Sequence, residues 1–321
     1  MGIVTNTYET YSTIGIREDL SGIIANIDPT DTPFVDACDT MVATGTKFEW
    51  QTDSLDSEGL NAVEEGHTTT FPAQAYTVRA YNSAQISEKS VSVSGTLDAV
   101  SKAGRATEIA YQMVRKSRSL KRDVEFTALS DQILDWNGPS ETARTTSGYA
   151  NWIAANSYSA GDSPGAPSNV ASAGTPTDQR TDATNNRALT ENLLLANIQA
   201  CWTLGGNIDL ILPGPYNKRQ ISSFSGNSSR FDRGEDGVLR SSIDIYISDF
   251  GSHTIRPSRF QSANDVMVID TSLISLAYLR PYASEELAKI GDSTQWLLNV
   301  EWGFCMKNYK GCGIIADCTS S

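Results

Sequence analysis

Thr96–Leu134 reads TLDAVSKAGRATEIAYQMVRKSRSLKRDVEFTALSDQIL, and its reading decides the fold. It is the longest stretch with helical periodicity, and it contains no proline. Ala106, Ile109, Ala110, Met113, Ser117, Leu120, Val124 and Ala128 recur at spacings of three and four. Residues so spaced draw one stripe down one side of an α-helix. At about 1.5 Å per residue, Gly104–Leu134 would form a rod of roughly 45 Å, long enough to be a spine on which other elements lie. Asp98–Ala103 reads as a short helix of its own. Gly104, about 1 kcal/mol worse than alanine inside a helix, marks a break, so the long helix is expected to begin near Arg105.

The polar side of this stretch has an unusual sign. Lys102, Arg105, Arg115, Lys116, Arg118, Lys121 and Arg122 face a single acid, Glu108. The chain as a whole carries 25 basic and 38 acidic residues, a net charge of −13, so the strip reverses the global balance. It reads either as a solvated helix face or as a strip that docks on something acidic. An acidic surface elsewhere is poorly suited to wrapping nucleic acid, because phosphate binding draws on clustered Lys and Arg. At 321 residues, 39% apolar and 20% charged, the chain is long enough for one large domain or two ordinary ones and has a globular composition.

Before the spine, residues 41–94 read as a long β-hairpin. Lys47–Thr52 alternates polar and apolar, as does the return from Ala75 through Tyr81 to Ser94, so one face is covered and one exposed. The tip, Asp53–Phe71, carries Asp53, Asp56, Glu58, Glu64 and Glu65 and no Lys or Arg. An isolated two-stranded ribbon is marginal in water, so something outside it must support it. Residues 1–40 form an arm. Tyr8, Tyr11 and Ile14 are its anchors, and Arg17–Ala25 is predicted to make a short amphipathic helix. Two prolines then impose extended or turn geometry on Asp28–Phe34.

After the spine, Asn137–Arg187 is rich in Ser, Thr, Asn, Gly, Ala and Pro and reads as a long loop, pinned to a core by Tyr149, Trp152 and Ile153. Thr190–Leu204 is a helix capped by Thr190 and ended by Gly205-Gly206. Ile208–Leu212 is a buried strand and Pro215–Phe224 a short helix, an α/β unit. Ile243–Ile247 and His253–Pro257 make a hairpin, with Ser225–Arg240 a charged loop before it. Val266–Ile269 and Leu276–Leu279 are strands, and Arg280-Pro281 is expected to end the sheet. Residues 295–307 alternate as a long strand with Trp296, Leu298, Val300, Trp302 and Phe304 on one face, and Cys312–Ala316 is the last strand.

Chemistry-bearing motifs are scarce. His67 and His253 fall in different elements and in no metal-ligand spacing. The five cysteines (Cys38, Cys201, Cys305, Cys312 and Cys318) are odd in number and scattered, which predicts reduced thiols; Cys312 and Cys318 would share a strand face as small buried residues. There is no nucleophile elbow, phosphate loop, dinucleotide fingerprint or calcium loop. No secretory signal opens the chain. No run approaches the ~18 apolar residues of a membrane span. The expectation is a non-enzyme with no cofactor and no metal.

Several segments resemble one family. They are Glu18–Ser21 with Ile27–Phe34, Glu49–Leu55, Val91–Thr96 into Ala103–Arg105, and Leu120–Asp123. Gly214–Lys218, Ser248–Gly251 and Ala277–Pro281 continue the match. In order, these are similar to tailed-phage major capsid proteins across almost the whole chain. The resemblance implies an α+β, HK97-like capsid fold. Residues 1–40 would be the N-terminal arm, 41–94 the extended loop, and 95–188 a peripheral domain with the spine helix. Residues 189–285 would be an axial domain and 286–321 strands returning to the peripheral domain. It implies a shell protein of the virion, assembled with itself as pentamers and hexamers in the host bacterial cytoplasm. Portal and a separate scaffolding protein would be partners, since the arm begins at Met1, and packaged DNA would be met only by non-specific proximity. Some members cross-link through lysine and asparagine; Lys47, the one lysine near the hairpin, sits at its base, so no cross-link is expected here. An encapsulin-type cellular compartment and a non-viral α/β hydrolase or binding module are the alternatives. Charge then suggests an inter-subunit contact: the acidic tip (Asp53, Asp56, Glu58, Glu64 and Glu65) against the basic strip Arg115, Lys116, Arg118, Lys121 and Arg122 of an adjacent copy.

Overall fold

The computed structural model describes residues 27–71, 73–74, 76–135, 142–153, 155–159, 175–176, 179–180, 182, 185–224 and 244–320. The predicted helix Arg17–Ala25 and the charged loop Ser225–Arg240 lie outside the described residues.

A long helix, α3 (Glu108–Leu129), crosses the middle of the molecule, after the short α1 (Pro33–Ala37) and α2 (Gly95–Ala99). Gly104, with a φ of +75°, a conformation open to glycine, lies in the break before α3, but the short helix expected at Asp98–Ala103 is instead α2, which ends at Ala99 where Val100 turns extended. Yet α3 has 22 residues, about 33 Å rather than the expected 45 Å. It begins three residues late, with Thr107 extended as the N-cap and Asp98 Oδ1 accepting from the Glu108 N–H. It stops at Leu129 because Ser130 turns extended and bends its hydroxyl back onto the Thr127 carbonyl. Gly148 presses against the Ser130 carbonyl there, in a space that a Cβ would fill. The apolar stripe is buried only in the second half of the helix, at Leu120, Val124, Ala128 and Leu129. Ala106, Ala110 and Ser117 are exposed, while Ile109, partly buried, packs against the core.

Two sheets flank this helix. Strand β1 (Asp39–Val42) runs parallel to β10 (Ile274–Leu287), which pairs with β11 (Ser293–Met306), which pairs with β4 (Gln85–Ser94). A second sheet of six strands has the order β5 (Ser157–Tyr158), β12 (Gly313–Ile315), β9 (Val266–Ile269), β6 (Leu210–Pro213), β8 (Gly251–Ile255), β7 (Ile245–Ser248). Helices α5 (Glu191–Thr203) and α6 (Pro215–Ser222) connect into it, with Thr190 Oγ1 accepting from the Leu193 N–H as the expected cap. One face of this sheet sends Leu210, Leu212, Met267, Ile269 and Ile314 into the main core, with Leu120, Val124 and the inward side of β11. The other face sends Ile211, Val266, Val268 and Ile315 into a second core with Leu194, Ile198 and Ile221. Strands buried on both faces read as continuous apolar runs, which is why Leu210–Leu212 and Val266–Ile269 were recognisable. Tyr149, Trp152 and Ile153 are fully buried, as expected, in and just after α4 (Tyr149–Trp152).

Several expectations need correction. The hairpin of residues 41–94 is shorter than predicted: β2 (Lys47–Thr52) pairs only with β3 (Val78–Ser83). At Ala84, fully buried with its N–H on the Thr46 carbonyl, the chain leaves the ribbon, and β4 joins the four-stranded sheet beside β11. Alternation looks the same whether the partner strand is near or far in sequence. Asn82, fully buried, fixes this exit; its amide donates to the Ser147 and Phe304 carbonyls and accepts from the Ser83 and Ser147 N–H groups. Arg280-Pro281 does not end β10, which runs on to Leu287 through register shifts on both sides of Arg280. A proline cannot donate to the ladder, so the strand absorbs it in an irregularity. Pro33 opens a helix, a position where its missing N–H costs nothing. Cys318 lies beyond β12 and packs in the second core, whereas Cys312 packs in the first, so the two share no strand face. β10 belongs to the four-stranded sheet, and β12 closes onto the six-stranded one.

Candidate interaction surfaces

Between β2 and β3 stand residues 53–77, without regular structure and exposed at every described position. A loop this long is uncommon inside a compact domain. It carries five acids and no Lys or Arg, which a solvated loop would tolerate. It also carries Leu55 at 97% exposure, Leu60 at 104%, Phe71 at 91% and Tyr76 at 94%. Single exposed apolar residues are ordinary, but a cluster on one projecting segment marks a surface that something else covers. The foot of the loop is firm. Lys47, 2.8 Å from Glu49 and above the Tyr81 ring, and Arg79 on the same carboxylate clip β2 to β3. The Lys47 contact is the main reason the Glu49 carboxyl titrates below its usual range.

The basic strip of α3 divides into engaged and open members. Lys121 pairs with Asp36 at 2.6 Å, tying α3 to α1, and Arg122 lies over the Phe260 ring at 5.3 Å. Arg105 pairs with Glu108, and Lys102 with Asp98 at 3.6 Å. Arg115, Lys116 and Arg118 form no ion pair among the described residues. With Arg122, Val114 and Ile27 they line a groove of about 560 Å³ between α3 and the segment that leads to α1. No loop acid pairs with a strip cation in the lone protomer among the described residues, so the two candidate surfaces face outward separately.

Glu125 was not singled out in the sequence. It is fully buried on α3, and its carboxylate accepts from the Phe34 and Val35 N–H groups at 3.0 and 2.7 Å, with the Ser258 hydroxyl at 3.5 Å. It thereby caps α1 and anchors the chain emerging from the arm. Burial pushes this carboxyl up from its ordinary range, against the pull of the two backbone N–H groups. The available signal was an acid beside Val124 on the inward face of an otherwise apolar half-helix. His253 is buried under the β7–β8 turn, with Ser248 Oγ at 2.7 Å from Nε2 and the Ile208 carbonyl at 2.7 Å from Nδ1, which locks the hairpin. Burial lowers its pKa. Among the described residues no group of three His, Cys, Asp or Glu side chains is arranged to hold a metal. None of the described helices is long and apolar enough to cross a membrane.

Four likenesses to known proteins are found. A family model described as SU10 major capsid protein matches residues 3–319. The major capsid protein of Escherichia phage Phieco32 is 25% identical over 339 residues, covering 96% of this chain and 96% of that protein. Among solved structures, the capsid of cyanophage A-1(L) aligns with a TM-score of 0.67 at 12% identity, over 95% of this chain and 97% of that one. The SrpI encapsulin of Synechococcus elongatus PCC 7942 aligns with a TM-score of 0.55 at 10% identity, over 95% and 93%. At such identities these two structures speak for the fold alone.

Proposed function

The chain belongs to the SU10 major capsid protein family and is a shell-forming phage capsid protein of HK97-like fold, and from that premise we propose that its copies grip one another by seating the loop 53–77 of one on the α3 groove of the next. The observation that carries this reading is the loop itself, whose apolar side chains are left exposed among the described residues. The acids of the loop (Asp53, Asp56, Glu58, Glu64 and Glu65) and the open cations of the helix (Arg115, Lys116 and Arg118) are complementary in sign. Lys121 contributes less, being paired with Asp36 within the protomer, whereas Arg122 rests on the Phe260 ring and forms no ion pair among the described residues. Each exposed pair is weak and screened by salt, so the charges set register while the apolar residues and the repetition of the contact supply strength.

The same reading assigns residues 1–40 to the arm, 41–94 to the extended loop and 95–188 to the peripheral domain, with 189–285 axial and 286–321 returning. It places the copies in pentamers and hexamers. Portal and a separate scaffolding protein are its partners, and assembly takes place in the host cytoplasm. The packaged DNA is held by proximity, and no bond chemistry is performed. An encapsulin-type compartment shares the fold, but the family match and the Phieco32 relative favour a phage shell.

Charge reversal tests the contact. The triple variant Arg115→Glu, Lys116→Glu, Arg118→Glu is expected to fold and to lower shell yield about tenfold at low salt, the scale of a modest loss repeated at every contact. Reversing Asp56, Glu58, Glu64 and Glu65 to lysine in the same chain is expected to restore part of that yield. Normal shells at normal yield from the triple variant would contradict the reading.

A further inference from the structure

We propose that Asp56–Leu60 of one copy lies along α3 of a second copy in a fixed register, Leu60 against Val114 and Ile27, Glu58 against Arg118, and Asp56 against Arg122. The inference rests on the docking reading above and adds its geometry. In an extended segment every second side chain points the same way, about 6.6 Å apart. Docked in extended form, Asp56, Glu58 and Leu60 would share a face in the order acid, acid, apolar. On a helix, side chains at i, i+4 and i+8 form a ridge with a rise of about 6 Å per step. Arg122, Arg118 and Val114 are such a ridge, in the order basic, basic, apolar. The two spacings differ by about half an ångström per step, so three positions match without distortion.

All three ridge residues and Ile27 line one groove of about 560 Å³. Its apolar end is uncovered, with Val114 at 54% and Ile27 at 95% exposure, and Leu60 is the apolar member of the loop face. Run in the opposite direction, the segment would set Leu60 on the exposed Phe126 instead. Charge selects between the two. Past Leu60 the chain reaches Glu64 and Glu65. In the proposed direction these acids pass Val114 and move toward the positive N-terminal end of α3. In the other they would approach the negative C-terminal end of α3, beyond which Asp131 and Asp182 line a pocket together with Arg180 and Arg259.

The test is disulfide trapping in assembled shells of the full chain. The double variant Leu60→Cys, Val114→Cys is expected to give a ladder of covalent oligomers on a non-reducing denaturing gel. Leu60→Cys alone controls for the five native cysteines, four of which are buried. Both substituted residues are exposed, so neither change removes core packing. Should the double variant assemble poorly, co-assembly of the single variants Leu60→Cys and Val114→Cys reads the same contact as a dimer band. A ladder from Leu60→Cys with Phe126→Cys in its place overturns the direction. Shells in which neither pair links overturn the register, and loop docking as such is then judged separately by the charge-reversal yield.

Discussion

Replacing residues 53–77 with an Asn-Gly turn is expected to leave a folded protein that forms no shells. Thr52 and Val78 are cross-strand partners, so a two-residue turn of the type favoured in hairpins closes β2 onto β3 directly. Every described residue removed is exposed, and none belongs to a core cluster. The urea midpoint of the unassembled protein is therefore expected to stay within about 0.5 kcal/mol of wild type, as for surface changes generally. Assembly should behave otherwise. Each copy both offers a loop and receives one, so the deletion removes both contacts in which a protomer takes part, and the loss compounds over a closed shell. A drop in particle yield of at least about 100-fold is expected by sedimentation, the scale on which multivalent linkage operates. Shells at wild-type yield would remove the loop from the account.

The second large effect is expected at Glu125→Ala. The carboxylate holds the Phe34 and Val35 N–H groups in a fully buried place, and alanine leaves both donors unpaired beneath α3. Charge-assisted bonds of this kind and the desolvation of orphaned donors suggest a loss of about 3 kcal/mol, read as a lower urea midpoint. The arm then loses its buried polar anchor and is held there by the Phe34 ring against Tyr149 and Phe304 and by the Lys121–Asp36 ion pair. The pH dependence has a definite sign. Because burial raises this carboxyl in the folded protein, the folded state holds its proton more tightly than the unfolded chain does. The stability contribution is full below the ordinary carboxylate range and is lost as pH rises through the raised value. Glu125→Gln, which cannot titrate, is expected to remove that component of the slope above about pH 4. An unchanged slope in the glutamine variant would show that Glu125 does not titrate in this way.

How far the sequence could be read depended on the range of the forces involved. Thr190 as an N-cap, the two-sided apolar strands Leu210–Leu212 and Val266–Ile269, and the inward face of β11 were legible because their cause is local or periodic. The anchoring role of Tyr149, Trp152 and Ile153 was legible as the only large apolar cluster in a polar stretch. The ends of α3 were not, since Asp98 and Gly148 set them from outside the helix. Nor was the departure of β4 from the ribbon, because its partner β11 lies some two hundred residues on. The candidate contact shows the same division. Charge sign and exposure found both surfaces, but local periodicity could not show that Lys121 answers Asp36 or that Arg122 rests on Phe260. Glu125 escaped notice for the same reason, its partners being ninety residues earlier in the chain.

Amide hydrogen exchange over residues 53–71, compared between unassembled protein and shells, tests the central claim most directly. Loop amides without hydrogen-bonded partners exchange near their intrinsic rates. The account expects that behaviour in the lone protomer, with slowing of at least about tenfold for 56–65 in the shell and matching new protection of the Val114–Arg122 face. Equal exchange in both states, or protection already complete before assembly, would contradict it.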